Sequence, residues 1–174
     1  MNRDLQIVGF RIGRETYGVP ITLVHEIVRV PEITPIPDAQ ECVEGVINLR
    51  GKIIPVIDLR KRFGQKEVTA TVKNRILVTE VDKRRVGLIV DSASEVLKIP
   101  PSEIETPPSA IQDAQANCVT GVAKLQGRLV ILLELSRLLQ KSVAEIRKAV
   151  TDAASPNDAA KNTMAAKAHA GGGR

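Results

Sequence analysis

The chain has 174 residues, of which 43% are apolar, 26% charged and only 2% aromatic, and 25 Lys and Arg against 20 Asp and Glu give a net charge of +5. That length suits one ordinary domain or two small lobes sharing a core, and the apolar fraction excludes a wholly disordered chain. No apolar run approaches the roughly 20 residues of a membrane span, Met1-Asn2-Arg3-Asp4 lacks the apolar region of a signal peptide, and two cysteines make no disulfide framework, so a soluble cytoplasmic protein is expected.

In chain order, short Val- and Ile-rich runs come first, broken by turn residues at 13–15 and 31–37. Two apolar arms then flank Leu49-Arg50-Gly51-Lys52. A glycine there supplies positive φ without Cβ strain, which predicts a hairpin tip. Pro55 in the second arm cannot donate to a ladder, which places that segment at an edge or a bulge. Asp58 reads as a helix-start residue beside orphan amides. Further strands follow, broken at 82–85 and 100–108. Leu125-Gln126-Gly127-Arg128 predicts a second hairpin tip, and Glu134 a second helix start. The best helix is 134–150, with Leu135, Leu138, Leu139, Val143, Ile146 and Val150 on one face. Residues 151–174 are Ala-rich, end in Gly-Gly-Gly-Arg and hold almost no large apolar side chain, which predicts a disordered tail or a frayed helix.

The dominant feature is an internal repeat. Residues 7–31 lie over 76–100 without gaps, matching Gly18 with Gly87, Glu26 with Glu95 and Pro31 with Pro100. Residues 42–63 lie over 118–139, where Cys, Val, Gly, Val, Leu, Gly and Leu recur; the second copy has the longer middle loop. Two long matches in the same order argue against coincidence. The reading is therefore an all-β protein with minor helix, built from two copies of one small sandwich- or barrel-like unit, with the polypeptide crossing between lobes.

The search for chemistry returns little. There is no nucleophile elbow, no zinc helix motif, and Gly51-Lys52 lacks the rest of a phosphate loop. His25 with Cys42 is two ligands short of a metal site, and His25 reads as an ordinary strand residue. Cys42 and Cys118 occupy matching repeat positions, so a shared buried packing slot, with both thiols reduced, explains them without redox chemistry. No catalytic residue, cofactor or metal is assigned, and an enzyme is not expected. The basic runs Arg60-Lys61-Arg62 and Lys83-Arg84-Arg85 read as solvated faces or turns. The alternative is a basic β-barrel that binds nucleic acid. It suffers from having only Phe10, Tyr17 and Phe63 to stack on bases.

At the centre of the first copy, Val43-Glu44-Gly45-Val46-Ile47-Asn48-Leu49-Arg50-Gly51 and Ile54-Pro55-Val56-Ile57-Asp58-Leu59 closely resemble the signature stretch of the CheW family of chemotaxis coupling proteins. The resemblance extends upstream through Tyr17-Gly18-Val19-Pro20 and Val24-His25-Glu26-Ile27, and downstream through Thr120-Gly121-Val122 and Arg128-Leu129-Val130-Ile131-Leu132. It implies two SH3-like five-stranded β-barrel lobes, at about 15–65 and 80–140, with an N-terminal strand and a C-terminal helix packed on them within 1–150. It also implies a non-enzymatic adaptor that joins the cytoplasmic tips of chemoreceptors to the regulatory domain of a CheA-type histidine kinase. Such an adaptor works in the cytoplasm at receptor arrays, in swimming, gliding or pilus motility, and meets the membrane only through the receptors. Kinase-facing residues carried over by the resemblance are Val24, Glu26, Gly45 and Arg50. The copies agree at Gly45/Gly121, Leu49/Leu125 and Gly51/Gly127 but differ at Arg50/Gln126, where folding demands least. Glu26 recurs as Glu95, yet only the first copy offers it an arginine. Arg50 is therefore expected within reach of Glu26 on the kinase-facing surface of lobe one.

Overall fold

A computed structural model describes residues 3–108 and 118–140, except the side chain of Ser94. The expected tail and most of the expected C-terminal helix lie outside the described residues. The elements are β1 (Leu5–Ile12), β2 (Glu15–Pro20), a 3-10 turn (Ile21–Leu23), β3 (Val24–Arg29), β4 (Val43–Leu49) and β5 (Lys52–Asp58). They continue with α1 (Leu59–Arg62), β6 (Arg75–Val81), β7 (Arg84–Val90), β8 (Ser92–Ile99), a 3-10 turn (Pro101–Glu103) and β9 (Ile104–Glu105). β10 (Val119–Leu125), β11 (Arg128–Leu133) and α2 (Leu135–Leu138) complete the set.

The tight turns are where the repeat predicted them. Arg50 and Gly51 join β4 to β5 with φ of 52° and 82°, and Gln126 and Gly127 join β10 to β11 with φ of 50° and 77°. Positive φ at both central residues is the turn whose twist matches a hairpin. Asn48 Oδ1 accepts from the Gly51 N–H at 3.0 Å and pins the first of these turns.

The strands form a five-stranded sheet, β3-β6-β7-β5-β4, and a six-stranded sheet, β8-β1-β2-β11-β10-β9. Under the repeat, the first five strands of the second order are the counterparts of the first order, and β5–β7 and β2–β11 are the matching parallel pairs. The chain does cross between lobes, and the crossing is an exchange. Hairpin β6–β7 of the second copy completes the sheet of the first, and hairpin β1–β2 of the first copy completes the sheet of the second. The contiguous lobe bounds of 15–65 and 80–140 therefore do not coincide with the sheets: 15–20 belongs with 128–133, and 75–90 with 52–58. The reason is that the 3-10 turn at 21–23 and the single residue Asp91 each turn the chain out of one sheet into the other.

The exchange explains the near-continuous apolar runs, because central strands are buried on both faces. On β6, Ile76 and Val78 face a core inside the five-stranded sheet, while Leu77 and Val81 face a larger core shared by both sheets. Ile7, Ile99, Ala123, Val130 and Leu132 form the matching inner core of the six-stranded sheet. The repeated glycines make this packing fit: a Cβ on Gly18 would lie 2.3 Å from Ile7 Cδ1, and one on Gly87 2.9 Å from Ile76 Cγ2. Cys42 and Cys118 are buried, unbridged and in the shared core. Their carbonyls accept from the Asp58 and Glu134 N–H groups at the same 2.7 Å.

One local reading holds and one needs correction. β5 as a whole is interior, but at Pro55 it is still an edge, as the proline requires. Pro55 is tolerated because pairing with β7 begins only at Val56, and opposite it Val46 gives both its backbone bonds to Thr34. Asp58 does cap its helix, accepting from the Arg60 N–H at 2.9 Å, but the Glu134 side chain caps nothing and instead accepts from Ser136 Oγ and meets Arg137.

Candidate partner-binding surface

Glu26 lies on β3 and Arg50 at the β4–β5 tip, on strands at opposite ends of one sheet. Arg50 Nη1 donates to Glu26 Oε1 and Nη2 to Oε2, both at 2.9 Å. Val28 and Ile47, also from those end strands, belong to one core, so the curl of the sheet brings side chains of its two end strands together. The Arg50 side chain is 76% exposed and Glu26 24%. An exposed pair of this kind stabilises by about 0–1 kcal/mol, so its fork geometry mainly fixes where the charges are displayed.

The expectation that only the first copy offers its glutamate an arginine fails. Arg128, just past the second tip, reaches back to Glu95 at 3.4 Å. The second pair has one contact where the first has two, because Gln126 holds the tip position. Each lobe also exposes an apolar couple at matching repeat positions, Ile27 and Ile53 on one and Val96 and Leu129 on the other; Ile27 lies on the outer face of β3, opposite to the half-buried face that carries Val24, Glu26 and Val28. Ile53 is 63% and Leu129 53% exposed. Sequence periodicity had no means of finding them, since an outward Ile on a strand looks like an inward one.

The other carried-over residues have different surroundings. Val24 is half-buried against the shared core. Gly45 is buried, with φ of 142°, and a Cβ there would lie 1.9 Å from the Thr34 carbonyl oxygen. It lets the 34–35 segment cross β4, where Thr34 and Val46 exchange two backbone bonds of 2.9 Å. Gly45 thus shapes the surface from beneath. His25 Nε2 meets Glu80 Oε2 at 2.5 Å on the exposed face of the same sheet.

The basic run at 60–62 is a solvated face only at Arg62. Arg60 is 5% exposed and bonded to Asp58, and Lys61 pairs with Glu44. Burial alone would lower the Arg60 pKa; Asp58 and Asp91 together hold it above its ordinary value. All three aromatic rings form one stack, Phe10 on Tyr17 at 6.0 Å and Tyr17 on Phe63 at 5.0 Å between centroids. With Phe10 and Tyr17 buried, the stacking platform that a nucleic-acid reading needs is used inside the protein. No helix among the described residues is long and apolar enough to cross a membrane.

Comparison with known proteins agrees with this architecture. The CheW-like domain profile matches residues 6–143. The chain is 35% identical to the chemotaxis protein CheW of Rhizobium meliloti over 144 residues, covering 83% of this chain and 93% of that one. It is 32% identical to protein FrzA of Myxococcus xanthus, covering 75% and 82%. The crystal structure of the scaffolding protein TtCheW from Thermoanaerobacter tengcongensis superposes with a TM-score of 0.72 at 41% identity, over 80% of this chain and 94% of that one. The duplicated, hairpin-exchanged β fold and these matches lead to one conclusion: the chain belongs to the CheW-like family.

Proposed function

We propose that this protein is a non-enzymatic adaptor that couples the cytoplasmic tips of chemoreceptors to the regulatory domain of a CheA-type histidine kinase, at receptor arrays. The observation that carries the reading is the Arg50–Glu26 pair, held as a fork on a lobe that also exposes Ile27 and Ile53. Exposed apolar side chains on the same lobe as fixed charges suit a protein partner, with the apolar groups supplying affinity and the charges register. Val24, Glu26 and Arg50 form the kinase-facing surface of lobe one, with Gly45 shaping it from below. The related patch at Glu95, Arg128, Val96 and Leu129 makes the two lobes similar but unequal. That suits head-to-tail alternation with a kinase domain of like architecture, which closes a ring where the rotation permits.

The test is co-sedimentation with receptor signalling fragments and kinase, together with receptor-dependent kinase stimulation. Wild-type protein is expected in the pellet and to stimulate. Arg50→Glu places like charges face to face, and is expected to fold and melt nearly as wild type while kinase binding and stimulation fall sharply. Full binding and stimulation by a folded Arg50→Glu variant would remove the pair from the interface. Unfolding of that variant would show Arg50 to be structural and would overturn the placement.

A further inference from the structure

The chain passes between the two sheets at two repeat-equivalent places, and they are built differently. At 21–23 the crossing is apolar, with Ile21 and Leu23 packed against the shared core. At Asp91 it is polar, and Asp91 is bonded on both sides. Its Oδ2 accepts from the Gly13 N–H at 2.6 Å, and its own N–H donates to the Arg11 carbonyl at 3.0 Å; both partners belong to the β1–β2 hairpin of the six-stranded sheet. Its Oδ1 accepts from Arg60 Nη1 at 3.3 Å, and its carbonyl accepts from Asn74 Nδ2 at 3.2 Å; both of these flank strands of the five-stranded sheet.

Arg60 is itself immobilised. Asp58 takes Nε at 3.0 Å and Nη2 at 2.9 Å, while Nη1 also reaches the Thr69 carbonyl at 3.1 Å and Asn74 Oδ1 at 3.3 Å. At the corresponding repeat positions stand Thr22 for Asp91 and Ser136 for Arg60, so the cluster exists once. The shared apolar core makes the sheets stay together, but apolar burial is non-directional and leaves their relative angle loosely specified. Bonds of fixed length and direction specify it.

We propose that the Asp58–Arg60–Asp91 cluster is a latch at the crossover that sets the angle between the lobes, and that Asp91 is a positioning residue through which one lobe's partner surface is aligned to the other's. The latch stands on the bonding alone; its consequence for signalling rests on the adaptor reading above.

Asp91→Ala removes the side-chain bonds to Gly13 and Arg60 while leaving Arg60 paired with Asp58, so no buried charge is orphaned. Spin labels at the exposed positions Lys52→Cys (five-stranded sheet) and Lys98→Cys (six-stranded sheet) report the inter-lobe distance by pulsed EPR, with the buried native thiols left unlabelled. The unlatched protein is expected to keep its circular dichroism and its binding to isolated kinase domain, while the distance distribution broadens. Receptor-dependent kinase stimulation then falls about tenfold, within the span of coupling between sites. A distribution as narrow as wild type in folded Asp91→Ala overturns the latch. Should that variant unfold, Asp91→Asn, which keeps an acceptor for Gly13 but loses the charge facing Arg60, decides by the same measurement. Broadening with undiminished stimulation overturns the positioning role. Failure of the wild type itself to stimulate overturns the adaptor reading and leaves the latch to the distance data.

Discussion

Three glycines in the β4–β5 and β10–β11 hairpins separate two costs that are usually confounded. At Gly45 an added Cβ would lie 1.9 Å from the Thr34 oxygen, 2.7 Å from its carbon and 2.9 Å from Pro35 Cα, all backbone, at φ of 142°. Backbone cannot rotate aside as a side-chain tip can, so Gly45→Ala must push the 34–35 segment off β4. The two Thr34–Val46 bonds are worth about 1 kcal/mol each, and the left-handed backbone adds about 1–3 kcal/mol. The expected loss is about 3–5 kcal/mol, from these two contributions together. Gly51 has φ of 82° but nothing within 4 Å of its Cβ, so Gly51→Ala isolates the backbone cost, about 1 kcal/mol. Gly121, the repeat partner of Gly45, lacks the positive φ, and its Cβ would meet the Ile104 branch methyl Cγ2 at 2.9 Å and the Glu105 carbonyl oxygen at 3.3 Å, much looser than the 1.9 Å approach at Gly45. Gly121→Ala should cost about 1–2 kcal/mol of packing strain. Urea denaturation followed by the emission of Tyr17, the single tyrosine, measures all three at unchanged slope. Equal losses at Gly45 and Gly51 would refute the reasoning. So would a Gly45→Ala variant that stays stable but loses kinase binding, because Gly45 would then act on the partner directly.

Leu138→Asp places a carboxylate at a position 1% exposed, beside Leu135 and Leu139 in the shared core, and should cost about 3–5 kcal/mol; an unchanged melting temperature would mean that α2 does not pack there. Burial, partly offset by Arg62, pushes the Cys118 thiol up, and burial followed by Glu15 and Cys118 pushes the Tyr17 phenol up. Both groups are held neutral by the fold, so their contribution is complete below the unfolded pKa values. It should be lost as pH rises from about 8.5 for the thiol and about 10 for the phenol. A tyrosinate absorbance titration should therefore lie above that of the unfolded chain, and coincidence of the two curves would contradict the burial. Because each sheet draws strands from both repeats, fragments 1–66 and 67–174 should each fail to fold alone and should regain native circular dichroism when mixed; cooperative folding of either fragment by itself would contradict the exchange.

Local features were legible in the sequence because neighbouring residues determine them. The two-residue turns at Arg50-Gly51 and Gln126-Gly127 follow from glycine at the second central position. The repeat was legible for a packing reason: Gly18 and Gly87 recur because Ile7 and Ile76 need the same space. The nearness of Glu26 and Arg50 was expected from the family resemblance, which assigns both residues to one surface. The Arg128–Glu95 contact did not, because a side chain reaching back past a turn leaves no mark on periodicity.

What only the tertiary structure decided is which copy each hairpin joins, and where the polar cluster lies. Hairpins β1–β2 and β6–β7 present similar faces, so either could complete either sheet with much the same contacts. The apolar pattern is degenerate between the two arrangements, and the short crossings at 21–23 and Asp91 choose the exchanged one. Arg60 reads as one of three solvated cations until Asn74 and Asp91, 14 and 31 residues further along, are brought against it. A charge's burial depends on partners distant in the chain, and composition and spacing carry no record of them.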